Sequence, residues 1–230
     1  MDDTQAKALL DKIVGQIFGL QNPYSLDQFA AKFAFDIRIP SMVTDSWTNE
    51  DTWAQSTQGT KFVKFKNLID NNDTSMIDRR PVESIEDIMQ IWQEVTLTSA
   101  ERYLDSVNVS KSDAIYRSQD IYKCTNIHDS KNIAFSDTIQ KSEFVAASQR
   151  SDSSVFSMRI DDCAKVSNSF QVTWSNNISN CLFIKDCSDM SDSMFCSQVT
   201  GKRFCIANMQ FEEAEYRKWE KLIKQWVLTN

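Results

Sequence analysis

Histidine, proline and glycine are nearly missing from this chain: one His, three Pro and four Gly in 230 residues. Each shortage excludes something. A histidine-based triad or multi-histidine metal site would have to rest on His128. Gly15, Gly19, Gly59 and Gly201 are too few and too scattered for a phosphate-cradling loop. No apolar run reaches the roughly 18 residues of a membrane span. Basic charge is also short: 25 Lys and Arg face 32 Asp and Glu, a net charge of −7, which argues against a nucleic-acid-binding surface. The start Met1-Asp2-Asp3-Thr4 lacks the basic residues of a signal peptide, so a cytoplasmic protein is expected.

What is abundant is order at a spacing of three. From Ser112 to Val199 every third residue, thirty in all, is Ser, Cys, Ile, Val or Met. Charges such as Lys123, Asp129, Lys141 and Asp162 fall on the other two registers. A helix buries residues 3.6 apart and a strand every second one, so neither fits. Short extended pieces joined by bends do fit, and such a coil is a β-solenoid (β-helix). Small Ser and Cys suit its corners, where a hydroxyl can satisfy bent backbone. Ile and Val fill the interior. An ordinary sandwich of polar strands is the competing fold.

A longer repeat is superimposed. Residues 121–159 align with 160–198 without a gap, at a period of 39. Cys124 matches Cys163, Ile139 matches Ile178, Phe144 matches Phe183, and Phe135 falls opposite Trp174. Two coils of roughly 18–21 residues per repeat are the simplest expectation. The recurring aromatics lie off the stripe and are expected to form outer or corner stacks. All six cysteines (Cys124, Cys163, Cys181, Cys187, Cys196 and Cys205) sit on the triplet register, as core side chains must and metal or disulfide cysteines need not. Reduced, metal-free thiols are therefore expected. A zinc site from Cys181, Cys187, Cys196 and Cys205 has spacings too wide for common structural zinc motifs.

The flanks read differently. Residues 4–18 form an amphipathic helix, and Ser25 caps a second over 26–33. Residues 35–39 alternate as a short strand that Pro40 ends, and 61–68 alternate as another. Residues 41–59 look like a polar loop, and Asn71-Asn72-Asp73 like a turn. Ser84-Ile85-Glu86-Asp87 opens a helix whose buried face would be Ile85, Ile88, Met89, Trp92 and Val95. A short helix or turn over 98–107 leads into the solenoid. Residues 211–228 form a final helix with Trp219, Leu222, Ile223, Trp226 and Val227 on one face, expected to cover the open solenoid end. The fold expected is an α+β N-terminal cap (1–105), a β-solenoid (106–207) and a C-terminal amphipathic capping helix (208–230).

The tail reads Phe195-Cys196, Phe204-Cys205-Ile206-Ala207-Asn208, Gln210-Phe211 and Glu215-Tyr216. It resembles the C-terminal signature of uncharacterised proteins of candidate-phyla bacteria and some phages, which carry cysteines every third residue, an aromatic-Cys-Ile-x-Asn stretch and a Gln-aromatic followed by Glu-Tyr. Met194 and Ser197 stand around Cys196 where those relatives often have closely spaced cysteines. The resemblance implies the solenoid fold, carries over no site residue, and allows a virion location if the chain is phage-encoded.

No nucleophile–base set and no cofactor motif stands out, and no metal site or cofactor is expected. Outer-face acids Asp161, Asp162, Asp186, Asp189 and Asp192 could serve a carbohydrate-active enzyme. An acidic mimic of nucleic acid is a third reading. The preferred one is a non-enzymatic scaffold or binding protein presenting a solenoid surface. Its partner would be another protein, either a further copy or a subunit of an assembling particle, with neither nucleic acid nor membrane involved. The expected contact is the loop bearing Trp47 and Trp53 around Glu50 and Asp51, since aromatics among polar residues are common at interfaces.

Overall fold

The computed structural model describes residues 1–58, 61–70 and 76–229. The chain is a β-solenoid of about nine turns, preceded by a short helical part and followed by a C-terminal helix. Two N-terminal helices, α1 (Asp3–Phe18) and α2 (Leu26–Phe33), are capped by Asp2 and Ser25. A hairpin of β1 (Ser41–Thr44) and β2 (Asp51–Ala54) follows. Next come β3 (Phe62–Lys64), α3 (Phe65–Asp70), α4 (Ile85–Val95) and β4 (Thr98–Ala100), with β3 and β4 parallel. The solenoid runs from β5 (Tyr103–Leu104) to β18 (Met194–Ser197). The hairpin of β19 (Cys205–Ile206) and β20 (Met209–Gln210) turns back over its last edge, and α5 (Glu213–Thr229) ends the chain.

Each coil takes 12 residues: Ile115 pairs with Ile127, Ile127 with Ile139 and Ile139 with Ser151. The expected 18–21 residues are corrected. A coil is four sides of three residues, and the residue before each inward one has a positive φ, as in Asp120 (58°), Lys123 (50°) and Asn126 (51°). Left-handed backbone costs an ordinary L-residue about 1–2 kcal/mol. Glycine would avoid that cost, but the chain has four. Asn and Asp, which tolerate this region best, occupy many of these positions, and parallel ladders to both neighbouring coils offset the rest. Serine hydroxyls bind the corners. Ser136 Oγ donates to Ala134 O (2.9 Å) and accepts from Ser148 N in the next coil (3.2 Å). Cys124 stands in the same ladder, with Ser136 N 3.4 Å from its Sγ.

The period of 39 is three coils plus one three-residue side, so the second half of the solenoid is offset from the first by a quarter of a coil. The change falls at Ser148, Ser151, Ser154 and Ser157, around the start of the long strand β14 (Val155–Thr173). There the column Ile115–Ile127–Ile139 becomes Ser151–Cys163–Ser175–Cys187. The column Ser112–Cys124–Ser136–Ser148 conversely becomes Ile160–Val172–Ile184–Cys196. Faces and corners exchange. The offset explains why Phe135 and Trp174, matched in the repeat, differ: Phe135 is buried beneath Phe29, whereas Trp174 faces water. The outer aromatic stacks are present, Phe144 on Phe156 at 4.4 Å and Phe183 on Phe195 at 4.5 Å.

Helices α1 and α2 lie along the flank of the stack rather than over its first coil. Their apolar faces and that of the C-terminal helix share one core with Tyr122, Ala134, Ala146, Met158, Phe170, Leu182 and Met194, an outward column repeating every 12 residues. The first coil is met instead by the segment with β2 and β4, through Asp113. α5 also joins the flank, where Tyr216, Val227 and Leu228 are buried. Asp192, buried, clasps it to the last coils through Arg217 (3.0 Å) and Arg203 (2.9 Å). Trp219, Leu222 and Trp226, expected to be covered, are about half exposed.

Other local readings need correction. Residues 35–39 make no strand; the chain turns, with Ile37 N donating to Ala34 O (3.1 Å) and Asp36 paired with Arg159. The loop over 41–59 contains the β1–β2 hairpin. The strand at 61–68 stops at Lys64 and becomes α3, and 98–107 is extended. α4 forms as expected with Ser84 as its cap, but none of its residues is buried. The Asn71-Asn72-Asp73 turn lies outside the described residues.

Candidate functional site

Trp47 and Trp53 do not form one cleft. Trp47 is about half exposed and lies in a depression of about 330 Å³ with Met76, Ile77, Val95 and Leu97. Trp53 is half-buried in β2, opposite Met42, and its carbonyl accepts from Glu101 N (2.9 Å). Glu50 is exposed and pairs with Lys64 (2.9 Å), and Asp51 is an exposed strand end opposite Thr44. Asp45, an acid expected beside these tryptophans as a possible cleft lining, instead holds the loop from inside. Asp45 is fully buried and accepts from Trp47 N (2.7 Å), Thr48 N (3.0 Å), Lys64 N (2.7 Å) and Asn67 Nδ2 (3.1 Å). Burial alone would raise its pKa, but these donors outweigh it and hold it below the usual carboxylate value.

A concavity of about 900 Å³ runs along the solenoid axis on the side away from α1. One wall is the left-handed column Thr138, Arg150, Asp162, Trp174 and Asp186. The other is Gln140, Asp152, Ala164, Asn176, Ser188 and Thr200. The floor is Ser151, Cys163, Ser175 and Cys187, the small residues that replace isoleucine where the column changes. Solvent reaches this floor: Ser175 is 4% and Cys187 5% exposed, against 0% for Ser169, Cys181 and Ser193 half a coil away. Charges here are largely paired. Arg150 bonds Asp161 (2.5 Å) and Asp162 (2.8 Å), and Lys185 Nζ lies 5.1 Å from the centre of the exposed Trp174 ring.

The outer-face acids do not converge. Asp161 and Asp162 are held by Arg150, Asp189 accepts from Asn177 (2.6 Å), and Asp192 is clasped to α5. Asp186 stands in the groove wall. His128 is half-buried and stacks on Tyr116 at 4.8 Å, two coils before Asp152 on the same column.

All six cysteines are buried free thiols, as their register requires. Burial pushes Cys124 and Cys181 up to about 12 and Cys163 to about 11. Since the thiolate is the reactive form, Ellman's reagent at pH 8 is expected to label folded protein slowly and all six thiols once guanidinium unfolds it. Rapid labelling of two or more thiols in the native state would contradict that burial.

No family model matches the chain, and no curated protein is similar to it in sequence. Fold and surface therefore define it: a β-solenoid carrying an open axial groove, with an apolar helix face turned to water at its N-terminal end.

Proposed function

We propose that this protein is a non-catalytic binding protein, in which the solenoid is a rigid body and the N-terminal unit holds another protein. The observation that supports this reading is α4. Its apolar stripe of Ile85, Ile88, Met89 and Trp92 is more than half exposed along its length. A helix with this pattern is normally buried on one side, and contiguous exposed apolar surface marks an interaction site. Trp47, Met76 and Ile77 line a depression with Val95 at the C-terminal end of the helix. Its flank carries Glu83, Glu86, Asp87 and Glu94, of which Glu94 pairs with Arg80 and Asp87 caps the helix. The remaining acidic rim opposes anionic lipid, whereas membrane-surface helices are rich in Lys and Arg. The rim fits a protein patch edged with basic side chains.

The test is a photo-crosslinking residue at position 88 in the producing cell, followed by Trp92→Glu and Trp47→Ala variants. The expected result is one crosslinked protein with a basic-rimmed apolar patch, at least tenfold less crosslinked in Trp92→Glu, at an unchanged melting temperature. A crosslink to a second copy of the chain makes the face a self-association surface and overturns the basic partner. No crosslink, or yields equal in wild type and Trp92→Glu, overturns the contact reading.

A further inference from the structure

The axial groove has an internal control for what it holds. The solenoid repeats its two-sided plan every six residues, so each outward column has a counterpart half a coil away. On one side α1, α2 and α5 share one core with the column of Tyr122, Ala134, Ala146, Met158, Phe170 and Leu182. Its counterpart carries Gln140, Asp152, Ala164, Asn176, Ser188 and Thr200, and none of the described residues covers it. The covered side is apolar and takes the apolar face of a helix. The open side is amide, hydroxyl and carboxylate, which would leave such a helix facing unsatisfied polar groups.

The ligand chemistry can be narrowed further. Arg150 is neutralised by two carboxylates, and Asp152 and Asp186 remain on the walls, so a polyanion finds no cationic track. Trp174, fourth of the five residues of one wall, is 56% exposed, with Lys185 Nζ 5.1 Å from its ring centre. It offers a flat apolar plate among hydrogen-bonding groups. Keeping so large a ring at positive φ (50°) on an exposed site costs backbone energy without giving core packing in return. The wall column from Thr138 to Asp186 spans four steps of about 4.8 Å. That step is close to the length of a hexopyranose unit in an extended chain, so each coil would meet about one sugar, with the wall groups of that coil.

We infer that this groove is a binding site for an extended, uncharged oligosaccharide, with Trp174 stacking on one sugar face and Asp186, Asn176 and Asp152 bonding ring hydroxyls. It is separate from the α4 surface, and neither reading depends on the other. The experiment is calorimetric titration of the whole protein with hexasaccharides of β-1,4-linked glucose, N-acetylglucosamine, mannose and xylose and of α-1,4-linked glucose. A polylysine peptide and an oligo-dT strand serve as competing classes.

At least one hexasaccharide is expected to bind, with a loss of tenfold or more in Trp174→Asn, where asparagine keeps the backbone conformation accessible. Ala164→Trp, which fills the groove from the opposite wall, should abolish binding at an unchanged melting temperature. The α4 variant Trp92→Glu should bind as wild type does. No binding by any hexasaccharide, binding indifferent to both groove substitutions, or binding of the peptide or oligo-dT in their place would overturn the assignment.

Discussion

Ile139→Asp and Ile178→Asp are each expected to leave no soluble folded protein. Ile139 is completely buried, with Ile127 on one side and Ser151 on the other. Ile178 lies between Val166 and Met190 at 1% exposure. Replacing either side chain loses about 1.5–3 kcal/mol of apolar burial. The larger loss comes from an ionised carboxylate with no cation in the column, which costs several kcal/mol more or must be protonated. A whole domain is stable by only about 5–15 kcal/mol. In a solenoid each coil is held by its two neighbours alone, so a disrupted coil also exposes parallel edges on both sides. Gln171→Asp is the control: it is an exposed left-handed position where aspartate is well tolerated. Soluble yield and far-ultraviolet circular dichroism give the readout. Two well-folded isoleucine variants would refute the inward assignment of the stripe.

The stripe was legible because inward residues obey a steric rule at every third position. The coil length was not legible from it, since a spacing of three divides any coil of whole sides equally well. The period of 39 misleads for a related reason: it preserves the stripe while moving every residue round by one side. Twelve is written elsewhere, in the apolar column from Tyr122 to Met194 and the polar column from Gln140 to Thr200, six residues out of phase. Those two columns together locate both the flank helices and the groove. Trp174 was visible only as the repeat partner of Phe135, and no local signal distinguishes a covered ring from an exposed one. Helix α4 is the reverse case. Its cap and its periodicity are correct, but periodicity reports which face is apolar, and it does not say whether this chain or another one covers that face.

Asp113→Ala is expected to detach the N-terminal segment while leaving most of the solenoid standing. Asp113 is 1% exposed and gathers five donors: Gln55 N (2.8 Å), Arg102 N (3.0 Å), Arg102 Nε (2.9 Å), Arg102 Nη2 (2.9 Å) and Ala114 N (2.8 Å). These tie the end of β2 and the residues after β4 to the first full coil. Arg102 also bonds Gln55 Oε1 (3.1 Å). Alanine removes the acceptor from two chain segments and strands a half-buried guanidinium, and breaking such a pair from one side costs about 3–5 kcal/mol. Because solenoid stability is nearest-neighbour, the loss stays local. Limited proteolysis should then cut residues 41–100 early, ahead of any cut in 112–199, and the first thermal transition should fall while a later one persists. The double variant with Arg102→Ala should be no less stable than Asp113→Ala alone, because the uncompensated charge is gone. If Asp113→Ala melts in a single unchanged transition and resists protease as wild type does, this carboxylate does not join the two parts. If it melts at once throughout the chain, the solenoid needs its first coil covered in order to stand at all.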